Sequence, residues 1–459
     1  MNVLKTAAED TNKVKILNGL SDQLFRIAKY AEARKYADDG LSLSEKLNFN
    51  KGIALSYHNI GTIYYLQRNY PEALKNYLAT LKIRKETGDK EGINGSYNNI
   101  GNIYSRQGNY PEALKNYLAS LKIREEIGDK QGIAWSYNNI GINYEKQGNY
   151  PEALKNHFAS LKIREEIADK RGIASSFNNI GGIYYMQGNY PQALKNFMAS
   201  LKIMEETGDT QSAFYVNIHL NVGHLHYDLE NYAEALKESR IVLKIGEATG
   251  NKNIISVSYG NTGNIYKGQG NYPEALKNYF ASLKIAEEIG DKEGMAMAYS
   301  NIGEVYQLQG NYPKALENYQ ASVKVFEAIG NKKDIAVPYN SIGEVYQLQG
   351  NYSEALKNHL AALKISKETG DKENIAFSYI NLGKVNIQLN KPGDAKAFLN
   401  NALSLGKETG IKDLVKQIYV HLSKLDSTMG NYQQALLNYK LYTEYKDSLL
   451  NETNNKQIA

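Results

Sequence analysis

A unit of 40 residues repeats along nearly the whole of this 459-residue chain. Residues 101–140 and 141–180 differ at only 10 of their 40 positions. One alanine marks every unit, and it recurs every 40 residues except for a single step of 42. It occupies Ala33, Ala73, Ala113, Ala153, Ala193, Ala235, Ala275, Ala315, Ala355, Ala395 and Ala435. Eleven units therefore follow one another, and the fifth step carries a two-residue insertion.

Each unit predicts two helices joined by short turns. Apolar residues at spacings of four, three and four have the period of an α-helix and predict one over residues 91–107. These residues are Ile93, Tyr97, Ile100 and Tyr104. Gly108 suits the left-handed conformation that ends a helix, and Pro111 suits the first turn of the next one. A second helix then runs to residues 128–130, and no segment shows the alternation of a strand.

Small residues occupy the middle of the first predicted helix in nine units. They are Gly61, Gly101, Gly141, Gly181, Gly223, Gly263, Gly303, Gly343 and Gly383. Glycine costs about 1 kcal/mol relative to alanine inside a helix, so we expect another backbone to approach closely at each. A helix pair of this size cannot bury its apolar stripe alone, so the units must stack. The predicted fold class is an all-α solenoid of about eleven antiparallel helix pairs.

The stretch 97–104 (YNNIGNIY), followed by Ala113 and Tyr117, resembles the signature of tetratricopeptide repeats. The resemblance covers about residues 13–450. The 40-residue period is longer than the usual ~34 and is similar to that of Pins-type polarity adaptors and kinesin light chains. The two ends of the chain resemble the borders of sensor regions in Bacteroidetes-type signalling proteins. The resemblance implies a right-handed superhelix whose first helices line a concave groove.

The repeat pattern also predicts how the chain is organised. We expect a diverged N-terminal capping repeat at 1–50 and regular repeats at 51–207. An irregular repeat with the two-residue insertion follows at 208–250, and regular repeats resume at 251–410. A capping repeat with a polar tail completes the chain at 411–459. We expect the insertion to change the superhelical pitch between the fifth and sixth repeats without creating a domain boundary.

Composition excludes several classes of protein. The formal charge of +5 is too small and too evenly spread to favour nucleic acid, and without cysteine there is no disulfide framework. No apolar run reaches the ~18 residues of a membrane span, and no nucleotide-binding or hydrolase motif occurs. We therefore expect no enzyme, no cofactor and no membrane insertion. Without a signal peptide the chain as given is expected in the cytoplasm, or in the periplasm or outside the cell if a leader was removed.

Three histidines lie within eight residues at His219, His224 and His226. His219 and His226 share one helix face, and they stand where other repeats place the core aromatics Tyr97 and Tyr104. A transition-metal site needs three or four converging ligands, and His224 points elsewhere. We interpret the cluster as packed imidazoles and predict no metal.

An asparagine stands two residues before the mid-helix glycine in eight of the nine units, although asparagine is a mediocre helix former. The row consists of Asn59, Asn99, Asn139, Asn179, Asn221, Asn261, Asn301 and Asn381, with Ser341 in the remaining unit. Two interpretations are open. The amides face the groove and bind the backbone of a peptide, or they bridge neighbouring helices.

Other residues near this row vary between units and would give specificity. Trp135, the sole tryptophan, has Phe377 at the matching place in a later unit; such an aromatic is a candidate anchor on the groove, or it packs against the adjoining helix. Arg106 and Lys146 are basic, whereas Glu304 and Glu344 are acidic at neighbouring positions later in the chain. Such a dipolar groove would orient a peptide with its acidic end near Arg106.

These observations favour a non-enzymatic scaffold that binds a peptide or protein segment in the groove. One alternative is the ligand-sensing region of a larger signal-transduction protein, such as a histidine kinase, whose output domain is not in this sequence. Another is a structural protein that self-associates by end-to-end stacking of repeats. The terminal units are diverged and polar, which is typical of caps, and this ranks the filament third.

Overall fold

The computed structural model describes residues 8–458, with side chains described as far as residue 449. Twenty-two α-helices and no strand occur in that part of the chain. In chain order they are α1 (Thr11–Arg26), α2 (Tyr30–Lys46), α3 (Asn50–Leu66), α4 (Tyr70–Glu86), α5 (Lys90–Arg106), α6 (Tyr110–Ile127), α7 (Lys130–Lys146), α8 (Tyr150–Glu166), α9 (Lys170–Met186), α10 (Tyr190–Glu206), α11 (Ala213–Asp228), α12 (Tyr232–Thr249), α13 (Lys252–Gly268), α14 (Tyr272–Ile289), α15 (Lys292–Leu308), α16 (Tyr312–Ala328), α17 (Ala336–Leu348), α18 (Tyr352–Thr369), α19 (Lys372–Gln388), α20 (Pro392–Thr409), α21 (Lys412–Thr428) and α22 (Tyr432–Ile458). The predicted all-α class of paired helices is confirmed.

The turn inside each repeat follows the predicted chemistry. Gly108 has φ of +76° between α5 and α6, a conformation that glycine adopts without steric cost. Asn109 caps α6 by accepting a hydrogen bond from the backbone N–H of Glu112 at 3.4 Å. Pro111 lies in the first turn, where its missing N–H leaves no hydrogen bond unmade. The same Asn-Tyr-Pro turn opens α4, α8 and α14, so the helix ends repeat with the sequence.

The chain divides into two compact units. Unit 1 comprises the residues up to 187 together with 195–208. Unit 2 comprises 188–194 and the residues from 209 onward. Helix α10 contributes residues to both, and the two-residue insertion lies at the start of unit 2. Each unit is described by itself below.

The mid-helix glycines make room for a side chain of the second helix. A Cβ added to Gly101 would lie 2.7 Å from Cε1 of Tyr117, and one added to Gly263 would lie 2.6 Å from Cε1 of Tyr279. The same contact occurs for Gly61 with Tyr77, Gly141 with His157, Gly303 with Tyr319, Gly343 with His359 and Gly383 with Leu399. We expected another backbone to lie against each glycine, and the structure corrects this expectation. The nearest group is chiefly a side chain sixteen residues later in the sequence.

Successive repeats of unit 1 are joined by a buried arginine near the end of the second helix. Nη1 of Arg124 donates hydrogen bonds to the carbonyl of Gly132 and to Oγ of Ser136 in α7. Arg84 and Arg164 make the same pair of bonds to α5 and α9. In unit 2 this position is apolar or small, as at Phe326, which is buried against the following repeat. Successive repeats are thus joined by hydrogen bonds from arginine in unit 1 and by apolar or small residues in unit 2.

We predict opposite effects for one substitution at two equivalent glycines. Gly101→Ala forces a Cβ against the Tyr117 ring, so it should lower the free energy of unfolding by about 1–2 kcal/mol, even though alanine is the better helix former. Gly223→Ala meets nothing closer than 3.4 Å and should raise that free energy by about 0.5–1 kcal/mol. Differential scanning calorimetry of the two variants measures this. Shifts of the same sign would contradict the packing role of Gly101.

Candidate functional site

The first helix of each repeat presents four positions on one side. On α7 these are Trp135, Asn139, Ile142 and Lys146, at spacings of four, three and four residues. They extend over three helical turns, or about 16 Å. We call the surface that these positions form on the first helices of a unit the first-helix face. All the predicted site residues stand at these positions, although Asn59 and Asn381 are buried there.

In unit 1, three asparagines of the row donate hydrogen bonds to the preceding first helix. The bonds run from Nδ2 of Asn59 to the carbonyl of Asn18 (2.9 Å), from Nδ2 of Asn139 to Oδ1 of Asn98 (2.8 Å) and from Nδ2 of Asn179 to Oδ1 of Asn138 (2.8 Å). The Asn99 side chain makes no hydrogen bond to the other described residues. The residue 41 positions before Asn99 is His58, whereas Asn139 and Asn179 find another asparagine there.

In unit 2, too, only some asparagines of the row have a hydrogen-bond partner. Asn381 is fully buried, donates to Oε1 of Glu344 at 3.2 Å and accepts from Nζ of Lys384 at 3.1 Å. Asn221, Asn261 and Asn301 are half-buried. The side chains of Asn261 and Asn301 make no hydrogen bond within the described part of the chain. Their positions 41 residues earlier hold Leu220 and Gly260, which offer no polar side chain.

A cleft of about 330 Å³ opens between α13 and α15 at these two asparagines. Val257 and Met297 lie on its edge with 47% and 58% of their surface exposed. Val337 and Phe377 continue the row of exposed apolar residues on the next two first helices. Sequence reasoning singled out Trp135 and, at the matching place, Phe377, and it missed Val257, Met297 and Val337. The signal was available, because all five lie six residues before a mid-helix glycine.

Unit 1 carries different chemistry on its first-helix face. Trp135 is 51% exposed rather than packed into the adjoining helix. Arg106 and Lys146 are exposed, and Nζ of Lys146 donates to Oγ of Ser105 at 3.4 Å. Partial burial and the nearby charge of Arg106 lower the pKa of Lys146. Two cations therefore lie close enough to repel each other.

The acidic residues of unit 2 are engaged by neighbours. Oε2 of Glu304 accepts from Nζ of Lys267 at 2.6 Å, and Glu344 accepts from Asn381. The negative side of the expected dipolar groove is therefore partly neutralised within the protein. Charge on this face is less polarised than the sequence alone indicates.

The histidine cluster does not converge. His219 is buried with its Nδ1 2.5 Å from Oε2 of Glu238, whereas His224 is exposed. Within residues 8–458, no three histidine, aspartate or glutamate side chains are placed to hold a metal ion.

Across the same residues, none of the helices combines the length and apolarity that a membrane span requires.

Stacked helix pairs with a partly exposed polar and apolar face define a helical-repeat protein. The profile of the tetratricopeptide repeat family matches residues 13–86, 93–166, 172–248, 254–328 and 334–408. These segments cover more than half of the chain, so the chain belongs to the tetratricopeptide repeat family. Repeats of this family point to a protein–protein interaction scaffold or sensor. No curated protein matches the sequence.

Several solved structures share the fold. The apo form of the quorum sensor NprR from B. thuringiensis is similar over 75% of this chain and 99% of its own, with 17% identity and a TM-score of 0.51. A Rap protein complexed with competence and sporulation factor covers 78% and 99%, with 14% identity and a TM-score of 0.50. A signal-transduction ATPase with a tetratricopeptide repeat sensor from Pyrococcus horikoshii covers 76% and 54%, with 20% identity and a TM-score of 0.48. At these identities the likeness shows the fold alone.

Two buried histidines that pack on mid-helix glycines make stability depend on pH. Burial and, to a lesser degree, the charge of Lys384 lower the pKa of His359 to about 3, and burial lowers that of His157 to about 4. The unfolded chain takes up a proton on each near the ordinary value of 6.5, while the folded protein resists. The contribution of these two histidines to stability is therefore fully present above about pH 6.5, and it is lost as pH drops toward 3.

We predict that His359→Tyr makes this loss of stability less steep. Tyrosine occupies the same place at Tyr319, where its hydroxyl donates to Gln307, and Gln347 stands at the matching position beside His359. A histidine protonated only in the unfolded state contributes a slope of ~1.4 kcal/mol per pH unit. Urea denaturation between pH 4 and 7 should show this slope reduced in the variant relative to the wild type. An unchanged slope would contradict the low pKa of His359.

Proposed function

We propose that this chain is a non-enzymatic scaffold that binds peptide or protein segments along its first-helix face. The observation that carries the proposal is the cleft between α13 and α15. There the amides of Asn261 and Asn301 have no partner among the described residues, beside the exposed side chains of Val257 and Met297. A side-chain amide both donates and accepts, so it matches the N–H and C=O of an extended peptide backbone.

The exposed apolar residues of unit 2 provide the affinity that the amides cannot. We call them the apolar row, which consists of Val257, Met297, Val337 and Phe377. Methionine adapts its shape to different partners, and burial of apolar surface contributes about 25 cal/mol per Å². Met297 is the most exposed member of the row. We therefore expect unit 2 to prefer extended segments with aliphatic or aromatic side chains. Asn59, Asn139, Asn179 and Asn381 keep neighbouring first helices in register, and the amides available for binding are those of Asn99, Asn261 and Asn301.

The first-helix face of unit 1 suits a different segment. Trp135 offers a large, rigid apolar surface, and tryptophan is enriched among residues that dominate binding energy. Arg106 and Lys146 repel each other, and an anionic group between them relieves that repulsion. We therefore expect acidic residues next to an apolar one in segments bound by unit 1.

Selection from a random-peptide phage library on the full chain, followed by calorimetric titration of the enriched peptides, tests unit 2. The double variant Met297→Ser and Asn301→Ala should weaken the apolar peptides at least tenfold, a loss of about 1.4 kcal/mol. Phe280→Ser is the matched control, because Phe280 is 46% exposed on the second helix α14 of the same region. It should leave affinity within twofold of the wild type.

The opposite pattern would contradict the proposal for unit 2. Affinity lost with Phe280→Ser and kept in the double variant would place binding on the second helices. A selection that enriches no peptide would contradict peptide binding by either unit.

The charge of unit 1 is tested with the acidic peptides of the same selection. Reversing both cations in Arg106→Glu and Lys146→Glu should weaken these peptides at least tenfold and remove most of the salt dependence of Kd. Lys115→Glu and Lys155→Glu form the control, since these lysines are exposed on the second helices α6 and α8. Equal effects of the two pairs would show that only net charge matters and would contradict a site at Arg106 and Lys146.

A further inference from the structure

The sixth repeat lacks the side chain that fills the space beside its mid-helix glycine. Ser239 stands sixteen residues after Gly223, at the position of Tyr117 and Tyr279 in their repeats. A Cβ on Gly223 would lie 3.4 Å from Cβ of Glu238, its nearest neighbour, and would meet no ring. The place of the aromatic ring is therefore empty.

The space forms a cavity of about 170 Å³ within unit 2, between α11, α12 and α13. We call it the Ser239 cavity. Its walls include Gly223, Ser239, Leu220 and Ile265, with the exposed His224 at its edge. An apolar protein cavity of roughly 150 Å³ is large enough to bind benzene. The Ser239 cavity is thus large enough for one aromatic ring.

One wall of the cavity is a buried imidazole with an unused nitrogen. His219 is 4% exposed, and its Nδ1 lies 2.5 Å from Oε2 of Glu238. A carboxylate only accepts, so Nδ1 carries a hydrogen, and the second ring nitrogen, Nε2, is not used by this contact. That Nε2 is buried without a hydrogen-bond partner among the described residues. The Tyr215 ring, in edge contact at 4.5 Å between centroids, holds the imidazole in place.

Neighbouring repeats show which group the space accommodates. The hydroxyl of Tyr117 donates to Oδ1 of Asn102 at 2.8 Å, and that of Tyr279 donates to Oδ1 of Asn264 at 2.6 Å. Each acceptor is the residue directly after the mid-helix glycine. In the sixth repeat this residue is His224. A ring that carries a hydroxyl group therefore meets an imidazole where tyrosine elsewhere meets an amide.

The remaining polar groups favour a neutral ligand. Lys267 lines the cavity, but its Nζ lies 2.6 Å from Oε2 of Glu304, so its charge is already balanced. Glu238 is in contact with His219 and interacts with the charge of Lys237. A carboxylate or phosphate ligand would find no unpaired cation among these groups.

We propose that the Ser239 cavity binds a neutral phenolic ring in the place that a tyrosine side chain takes in neighbouring repeats. Its hydroxyl hydrogen-bonds with the imidazole of His224, at the position that Asn102 and Asn264 hold in their repeats, and its ring packs against Gly223 and Ile265. The cavity shares Asn261 and Asn264 with the cleft between α13 and α15, whereas the space beside Gly223 and Ser239 belongs to the cavity alone.

Isothermal titration of the full chain with p-cresol tests the proposal, with toluene as the probe that lacks the hydroxyl. We expect p-cresol to bind at least fivefold more tightly than toluene. Ser239→Tyr fills the cavity and should weaken p-cresol at least tenfold while raising Tm. Arg240→Tyr adds the same side chain at the adjacent exposed position and should leave Kd within twofold. Gly223→Leu fills the cavity from the first helix and replaces Ser239→Tyr if that variant does not fold.

Each possible result bears on one part of the proposal. No p-cresol binding up to its solubility limit, or equal Kd values for the wild type and both filled variants, would overturn the proposal. Equal affinity for toluene would refute the role of the hydroxyl. A parallel titration with N-acetyl-tyrosine amide identifies the source of the ring. Binding tighter than that of p-cresol indicates a tyrosine of a peptide, and weaker binding indicates a free phenol. Loss of peptide binding by Met297→Ser with p-cresol binding intact would leave this site standing.

Discussion

The contact between a mid-helix glycine and the side chain sixteen residues later fixes the geometry of every regular repeat. Because Gly101 has no Cβ, the Tyr117 ring lies directly on the backbone of α5, and the two helices of the pair approach closely. This contact also sets the rotation of the first helix about its own axis. Residues two before and five after the glycine are thereby turned onto the first-helix face, and so are those six before it. The position of the candidate site is a consequence of core packing.

The sequence predicted the helices, the turns and the class of fold, because these follow from local periodicity and turn chemistry. It did not reveal which asparagines are available to a ligand. Asn99 and Asn139 occupy the same place in consecutive repeats, yet only Asn139 meets an asparagine 41 residues earlier. The fate of each amide depends on its neighbour in the preceding repeat, so the row cannot be judged as a single pattern. The same holds for Glu304, whose charge is balanced by Lys267 from another helix.

The two units share one repeating backbone. Different side chains join their successive repeats, and their first-helix faces differ in chemistry. Buried arginines such as Arg124 connect successive repeats in unit 1, whereas apolar residues such as Phe326 do so in unit 2. The first-helix face is cationic around Arg106 and Lys146 and apolar around Met297. Solenoid repeats contact only their neighbours, so each joint and each face can vary without disturbing distant repeats. Such a chain can carry two chemically different first-helix faces.

The same independence explains how the sixth repeat tolerates an empty ring site. Removing an aromatic side chain from a core costs roughly 3–5 kcal/mol, but in a solenoid that cost is confined to one repeat and its neighbours. A ligand in the Ser239 cavity would restore part of the missing packing against Gly223. Since it binds only the folded repeat, its binding free energy adds to the stability of unit 2. Occupancy of the cavity would therefore stiffen α11 and α13, and Asn261 lines both the cavity and the cleft between α13 and α15.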